Sequence, residues 1–216
     1  MWQRLADSIS AQLAHPKGGP IGWYVKYLFK KVNKPLSQSA VDLCNIQPHH
    51  NVLEVGFGTG EGLKCACQKI QDGPGKIYGV DISERMFTET AELLYMEIHN
   101  KKLELLLSRV EKLPFNHDKF DRVYHVNCYY FWRDMIDGAA ELYRVMKPNS
   151  MMVTTLSLKR LKQAKKRGLL TKNAITDPMH YMWCLENVGF EDVSMKYVKN
   201  KLGFEHQAIF AYVHEK

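Results

Sequence analysis

Three glycines alternate with other residues in the segment Val-Gly-Phe-Gly-Thr-Gly-Glu, directly after a short apolar run: Gly56, Gly58 and Gly60. Glycine permits tight turns, and its missing Cβ lets a flat, bulky ligand come against the backbone. Because position 61 is Glu, the dinucleotide fingerprint G-x-G-x-x-G is incomplete, and no Gly-Lys-Ser/Thr follows to make a P-loop. The carboxylates of Glu54 and Glu61 favour a ligand with a positive centre over a phosphate.

A carboxylate follows 21 residues after Gly60, where Asp81 ends a second apolar run. Its two oxygens can accept hydrogen bonds from both ribose hydroxyls of an adenosine. Enzymes that use nicotinamide dinucleotides and enzymes that transfer methyl groups share this feature. The glycine register therefore decides between the two cofactors, and it disfavours the dinucleotide.

Metal chemistry has little support in the sequence. Cys65 and Cys67 are two residues apart on a predicted helix, so their side chains point about 200° apart and cannot hold one ion. Neither has a matching pair elsewhere in the chain, and we predict no metal site.

The elements that must position these residues alternate between apolar runs and segments with helical periodicity, which is typical of a parallel sheet covered on both faces. Strands are predicted at 51–55, 76–81, 103–107, 120–127, 151–156, 191–198 and 207–213. Helices are predicted at 60–70, 83–99, 133–146 and 174–188. The pattern predicts a doubly wound α/β fold, with residues 1–44 as an N-terminal helical cap and residues 45–216 as one compact domain.

Composition sets limits on the kind of protein this can be. The chain has 216 residues, 45% of them hydrophobic, and a formal net charge of +7. It has no run of about 18 apolar residues that could span a membrane and an odd number of cysteines at scattered spacings, so we expect an unexported, cytoplasmic protein. The residues at 159–167 include six bases and no acid, which fits either a solvated loop or helix face or a surface for a nucleic acid or an anionic substrate.

Six segments in order give the chain a clear family resemblance. They are Val52–Gly60, Tyr78–Ser83, Glu111–Phe115, Phe120–Tyr124, Leu142–Asn149 and Asn187–Glu191. In these segments the chain resembles the class I S-adenosylmethionine-dependent methyltransferases of the small-molecule type, over roughly residues 45 to 215. The resemblance implies a seven-stranded Rossmann-like sheet of order 3-2-1-4-5-7-6 whose last strand is antiparallel. It also implies S-adenosylmethionine as cofactor, S-adenosylhomocysteine as product, and a binding site over the carboxyl ends of strands one, two and four.

The resemblance assigns cofactor-binding roles position by position. The residues that would contact the amino-acid part of the cofactor are Glu54, Gly56, Phe57, Gly58, Thr59, Gly60 and Asn127. Asp81 would hold the ribose, with Ile82 and Met86 beside the adenine. Many relatives carry an acid for the adenine amino group where this chain has Arg109, so Val110 and Glu111 would take over that contact. A planar guanidinium could instead stack on the adenine.

Candidates for a general base come from the end of the fourth strand, which borders the acceptor pocket in similar enzymes. His125, Tyr129 and Tyr130 could take a proton from a hydroxyl or protonated amine acceptor. His125 alternates with Tyr124 and is equally compatible with a packed strand residue, and core packing is the alternative for both tyrosines.

Further aromatic side chains could complete a substrate pocket: Trp23, Tyr24, Tyr27, Trp132, His180, Tyr181 and Trp183. Aromatic faces attract cations, so such a pocket would suit the sulfonium and a cationic or aromatic amine acceptor. Trp23 and Tyr27 at helical spacing are also typical of a stripe that packs on a sheet.

These observations together predict a methyltransferase that acts on a small molecule, with nitrogen favoured over oxygen as the acceptor atom. The fourth strand ends in Val126-Asn-Cys-Tyr129 without the Asn/Asp-Pro-Pro-Tyr/Phe sequence of enzymes that methylate DNA bases. Two alternatives stay open. One is an RNA methyltransferase that uses residues 159–167 as a phosphate track, and the other is a non-catalytic, cofactor-binding partner subunit.

Overall fold

Seven strands form a single sheet in the order β3-β2-β1-β4-β5-β7-β6 in the computed structural model, which describes residues 33–170, 174–199 and 203–216. The strands are β1 Asn51–Val55, β2 Lys76–Asp81, β3 Leu103–Leu107, β4 Phe120–Val126, β5 Met146–Leu156, β6 Glu191–Lys199 and β7 Glu205–Val213. Neighbours from β3 to β5 pair in parallel, whereas β7 pairs antiparallel with both β5 and β6. The predicted strand order and the antiparallel last strand are confirmed.

Helices cover the sheet. They are α1 at residues 33–43, α2 Glu61–Lys69, α3 Glu84–Leu93, α4 Tyr95–His99, α5 Met135–Val145, α6 Leu158–Lys166 and α7 Pro178–Asn187. Short 3-10 turns lie at Val110–Lys112 and Tyr129–Phe131. Among the described residues no helix has the length and apolar character needed to span a membrane.

Several predicted segments differ from the structure. Strand β5 begins at Met146, five residues before the predicted start at residue 151. The helix predicted at 83–99 is two helices, because the backbone leaves helical geometry at Leu94, where the side chain is buried between its exposed neighbours Leu93 and Tyr95. The basic residues 159–167, for which the sequence left a loop and a helix face open, form most of α6. Leu, Lys, Arg, Gln and Ala are all good helix formers, and they make up the helix from its first residue to its last.

The core lies on both faces of the sheet, since alternate residues of each central strand point to opposite sides. Leu53 and Val123 belong to the cluster on one face, and Val52 and Tyr124 to the cluster on the other. Helix α1 packs into the second cluster through buried side chains that include Leu36. The division into cap and domain stays a prediction, because residues 1–32 lie outside the described part of the chain.

Candidate functional site

A cavity of about 370 Å³ opens at the carboxyl ends of β1, β2 and β4, the edge where open α/β sheets bind their ligands. Its walls contain every predicted cofactor residue except Gly60: Glu54, Gly56, Phe57, Gly58, Thr59, Asp81, Ile82, Met86, Arg109, Val110, Glu111 and Asn127. The topology therefore brings together residues that are up to 73 positions apart in the sequence, from Glu54 to Asn127.

The turn between β1 and α2 explains why glycine occupies three positions there. All three have positive φ angles, 69° at Gly56, 51° at Gly58 and 76° at Gly60. A Cβ at Gly56 would lie 2.7 Å from the Cys128 sulfur, and one at Gly60 would lie 2.7 Å from the Thr90 methyl group. At Gly58 a Cβ would meet nothing within 4 Å, so the bare backbone there leaves open space on the cavity side for a ligand.

Asp81 ties this turn to the second strand. Its carboxylate accepts the backbone N–H of Gly58 at 2.9 Å on one oxygen and the backbone N–H of Ser83 at 2.9 Å on the other. The hydroxyl of Thr90 donates to the carbonyl oxygen of Gly58 at 3.0 Å. The same carboxylate lines the cavity, so the group that shapes the turn is also the one predicted to accept the ribose hydroxyls.

Glu54 is a buried carboxyl in the cavity wall, with 2% of its surface exposed. The Tyr124 hydroxyl donates to its Oε2 at 3.0 Å, and the start of α2 packs directly against it at Gly62. Burial raises the pKa of Glu54 to about 8. The Tyr124 hydrogen bond lowers this pKa, but its effect is smaller than that of burial. A cationic group beside this carboxyl would favour its ionised form, as the sequence predicts for a ligand with a positive centre.

An apolar slot lies between the ends of β2 and β3, formed by Ile82, Met86 and Val110. Arg109 and Glu111 border it. One carboxylate oxygen of Glu111 accepts the backbone N–H of Arg133 at 2.5 Å and that of Asp134 at 3.3 Å, at the entry to α5. These residues fit a flat heterocycle such as adenine, and Glu111 also fixes the loop in front of α5.

His125 does not reach the cavity, which corrects the prediction that it acts as a base. Its side chain is fully buried, and Nε2 lies 2.7 Å from the Tyr181 hydroxyl and 2.9 Å from the Thr154 hydroxyl. Burial lowers the pKa of His125 to about 3. Strand alternation turns this residue into the core, the packed alternative left open by the sequence.

Tyr129 and Tyr181 are also core residues rather than cavity residues. Both are fully buried, and their rings stack with centroids 4.5 Å apart and planes 7° apart. The hydroxyl of Tyr129 donates to the carbonyl of Thr176 at 3.1 Å. Burial raises the pKa of both phenols. The predictions of a catalytic Tyr129 and a substrate-binding Tyr181 are therefore corrected.

The remaining aromatic predictions divide into three groups. Tyr130 and Trp132 line the cavity. His180 and Trp183 stack on each other on the outer side of α7 and do not contribute to the cavity wall, so their substrate-binding role is corrected as well. The third group, Trp23, Tyr24 and Tyr27, lies outside the described residues.

Sequence reasoning missed one whole wall of the cavity. It comes from α6 and the residues after it: Arg160, Leu161, Gln163, Ala164, Arg167, Leu169 and Leu170. Helix α1 adds Asn33 and Ser37, and the Asn127 side chain donates to Asn33 Oδ1 at 2.9 Å. The available signal was the spacing of positions 160, 164 and 167, which places one face of a helix towards a common neighbour.

Comparisons with known proteins show that the chain is similar to methyltransferases. Residues 52–149 match a family model described as a methyltransferase domain. An uncharacterized methyltransferase of Bacillus subtilis, YdaC, is 25% identical over 79% of this chain and 88% of its own length. The 24-methylenesterol C-methyltransferase 2 of Arabidopsis thaliana is 27% identical to this chain. The match covers 54% of this chain and 32% of that enzyme.

The fold has counterparts among solved structures. The crystal structure of a SAM-dependent methyltransferase from Aquifex aeolicus superposes with a TM-score of 0.66 at 19% identity, covering 86% of this chain and 97% of that one. At this identity the likeness concerns the fold alone, and the cofactor site at the glycine turn, Asp81 and the cavity stays a prediction.

Proposed function

We propose that the chain is a class I S-adenosylmethionine-dependent methyltransferase and that it methylates a nitrogen or oxygen atom of a small-molecule acceptor. The observation that carries the proposal is the extent of the cavity. It continues beyond the residues with cofactor roles to the wall formed by α6 and the loop after β4. A second ligand therefore has a place beside the cofactor.

We define the acceptor pocket by the cavity-lining residues of α1, of residues 130–132 and of residues 157–170: Asn33, Ser37, Tyr130, Phe131, Trp132, Ser157, Arg160, Leu161, Gln163, Ala164, Arg167, Leu169 and Leu170. Seven of these thirteen residues are aromatic or aliphatic. Ligand sites are typically apolar with a few placed polar groups, and this composition fits a small organic molecule better than a nucleic acid strand.

The cofactor supplies a methyl group on a sulfonium, which the acceptor lone pair takes while the electrons of the broken C–S bond stay on sulfur. The protein's part is to hold the acceptor in line and to exclude water. Leu161, Trp132 and Tyr130 supply apolar surface for that purpose. Asn127 lies at the end of β4 with φ 48°, the point where the chain leaves the sheet and enters the cavity wall.

No described residue of the acceptor pocket is a histidine or a carboxylate that could act as a base. Of the three predicted general bases, His125, Tyr129 and Tyr130, only Tyr130 lines the cavity. Burial raises its pKa well above the ordinary value for a phenol. Its hydroxyl therefore stays protonated at neutral pH and orients the acceptor rather than deprotonating it. We propose that an acceptor that carries a proton releases it to solvent.

The proposal is tested by release of S-adenosylhomocysteine from pools of amines, phenols and carboxylic acids. Ala164→Trp should fill the acceptor pocket, so turnover should fall at least tenfold while affinity for S-adenosylhomocysteine, measured by calorimetry, stays within twofold. Lys159→Trp is the matched control, because Lys159 lies on the same helix and does not line the cavity. Equal turnover of the wild type and Ala164→Trp would contradict the proposed pocket.

RNA methylation is the second candidate, and one observation supports it. Lys159, Lys162, Lys165 and Lys166 are exposed on α6 next to the cavity. Such a phosphate track would make binding of single-stranded RNA weaken steeply with salt. Tight cofactor binding with no turnover on either small molecules or RNA would instead favour the partner-subunit alternative.

A further inference from the structure

We propose that the acceptor is amphipathic and carries an anionic group, a carboxylate or a phosphate, which Arg160 and Arg167 hold at the rim of the acceptor pocket. The inference rests on the proposed function and adds the chemical class of its substrate. The sequence left two charges open for the acceptor, since the aromatic residues suggested a cationic or aromatic amine and the basic run at 159–167 suggested an anion, and the inference chooses the anion.

The two arginines lie on the cavity face of α6. They are seven residues apart, about 10 Å along the helix axis, and Ala164 lies between them on the same face. The small Ala164 side chain leaves space between α6 and the opposite cavity wall. The side chains of Arg160 and Arg167 are long enough to extend into this space. Arginine also matches the geometry of carboxylate and phosphate oxygens in a bidentate manner.

Arg160 is held in place by a neighbouring aromatic ring. Its guanidinium carbon lies 4.8 Å from the centroid of the Phe204 ring, at the start of β7. The position is therefore partly organised before an anion binds, which reduces the entropy that binding would cost.

The charges that line the cavity differ between its two ends. Four carboxyl groups and one guanidinium lie at the cofactor end: Glu54 in β1, Glu61 at the start of α2, Asp81 at the end of β2, and Glu111 with Arg109 after β3. Among the described residues of the acceptor pocket, Arg160 and Arg167 are the charged ones, and both are positive. A cationic acceptor would meet repulsion at this end, whereas an anion would be attracted.

The rest of the wall predicts an apolar body for the same molecule. Leu161 is buried, and Leu169 and Leu170 are half-buried at the end of α6. With Tyr130 across the cavity, these side chains form an apolar space next to the two guanidinium groups. An acceptor that has an anionic end and a hydrocarbon or aromatic body satisfies both parts of the wall.

The test uses four ligands with the same eight-carbon chain and different head groups: octanoate, octyl phosphate, octanol and octylamine. Each is titrated by calorimetry into the full chain saturated with S-adenosylhomocysteine. We expect the two anions to bind at least tenfold more tightly than octanol, and octylamine to bind most weakly. The ratio between octanoate and octyl phosphate identifies which anion the site prefers. Octanol binding as tightly as the anions would overturn the inference.

Variants assign the effect to the two arginines. Arg167→Ala and Arg160→Gln should each weaken anion binding at least fivefold and leave octanol binding and S-adenosylhomocysteine affinity unchanged. Lys166→Ala removes the same charge from the same helix, on the side facing a separate groove, and should have no effect. An equal loss in Lys166→Ala would show that only net charge matters, and the inference would then be wrong.

The two proposals fail in different ways. If S-adenosylhomocysteine itself does not bind, the proposed function is contradicted before any head group is compared. If it binds and Ala164→Trp blocks turnover on an acceptor without an anionic group, the methyltransferase proposal stands and the anionic acceptor is excluded.

Discussion

Two opposite influences act on the protonation of Glu54: burial favours the neutral carboxyl, and a cationic ligand would favour the carboxylate. Glu54 is buried beneath the glycine turn, where water cannot solvate a charge, and it lines the cavity that we propose as the site of a cationic cofactor. The Tyr124 hydroxyl supplies a hydrogen bond at 3.0 Å but not an opposite charge. The protein therefore carries a proton on Glu54 that a bound cation would help to release.

The raised pKa of Glu54 has a consequence for stability. Its folded-state pKa of about 8 lies above the ordinary value of 4.5, so the folded state holds the proton more tightly than the unfolded state does. The contribution of Glu54 to the free energy of unfolding is full below pH 4.5 and is lost as the pH rises towards 8. Between these two pH values the folded state holds about one more proton than the unfolded state, so the free energy of unfolding falls by ~1.4 kcal/mol per pH unit.

We expect Glu54→Gln to remove this slope, because an amide cannot ionise and still accepts the Tyr124 hydroxyl. Urea unfolding of the wild type and the variant at pH 5, 6, 7 and 8 measures the difference. The wild type should lose stability relative to the variant at each step. Parallel profiles would show that Glu54 is already ionised in the folded protein at pH 5.

At the scale of the elements, two separate constraints fix glycine in the turn between β1 and α2: the backbone conformation and the packing of a neighbouring side chain. Gly56 and Gly58 both need positive φ angles, yet only Gly56 has a side chain against it, that of Cys128. Burial raises the pKa of the Cys128 thiol to about 12, and the Trp132 indole N–H donates to its sulfur at 3.2 Å. The thiol is thus a packing group held in position under the turn.

Alanine substitutions should separate backbone strain from this contact. Gly58→Ala should cost about 1–2 kcal/mol of stability, the penalty of a left-handed conformation, and should weaken cofactor binding from the open side. Gly56→Ala should cost more, since it adds the clash with Cys128, and Gly56→Ala/Cys128→Ala should recover part of the difference. Urea unfolding measures all three, and equal stability of the two single variants would contradict the role of Cys128.

At the scale of the whole molecule, the sheet order decides where the site lies. β1 stands between β2 and β4, so the turn after β1, Asp81 and Asn127 converge on one edge. Only the folded chain brings these residues together. A ligand that bridges them therefore binds the native state and not the unfolded chain, and it should raise the unfolding temperature.

We expect S-adenosylhomocysteine at 100 times its dissociation constant to stabilise the protein by about 2.7 kcal/mol. For a chain of this size that is a rise of roughly 5–10 °C in Tm. NADH should give no rise, because the turn lacks the third glycine of the dinucleotide fingerprint. In Asp81→Ala the rise should disappear at the same ligand concentration, and an unchanged rise in that variant would contradict the ribose-binding role.

The sequence by itself determined the parts of this protein that depend on local chemistry and local periodicity. Strands β1, β2 and β3 begin and end at the predicted residues because apolar runs bounded by turn formers signal strands clearly. The glycine register and Asp81 identified the cofactor class, since those residues must touch the ligand whatever surrounds them. The six motifs in order then predicted the strand order.

Only the tertiary structure decided which side chains line the cavity. His125 and Tyr129 belong to the segment that borders the cavity, but β4 alternation and the stack on Tyr181 turn them into the core. Arg160 and Arg167 belong to a basic run for which the sequence left a solvated surface and a binding surface open, and the fold places them at the cavity. Side-chain direction depends on packing between distant elements, which a linear pattern does not contain, whereas strands, turns and glycine conformations are set within a few residues.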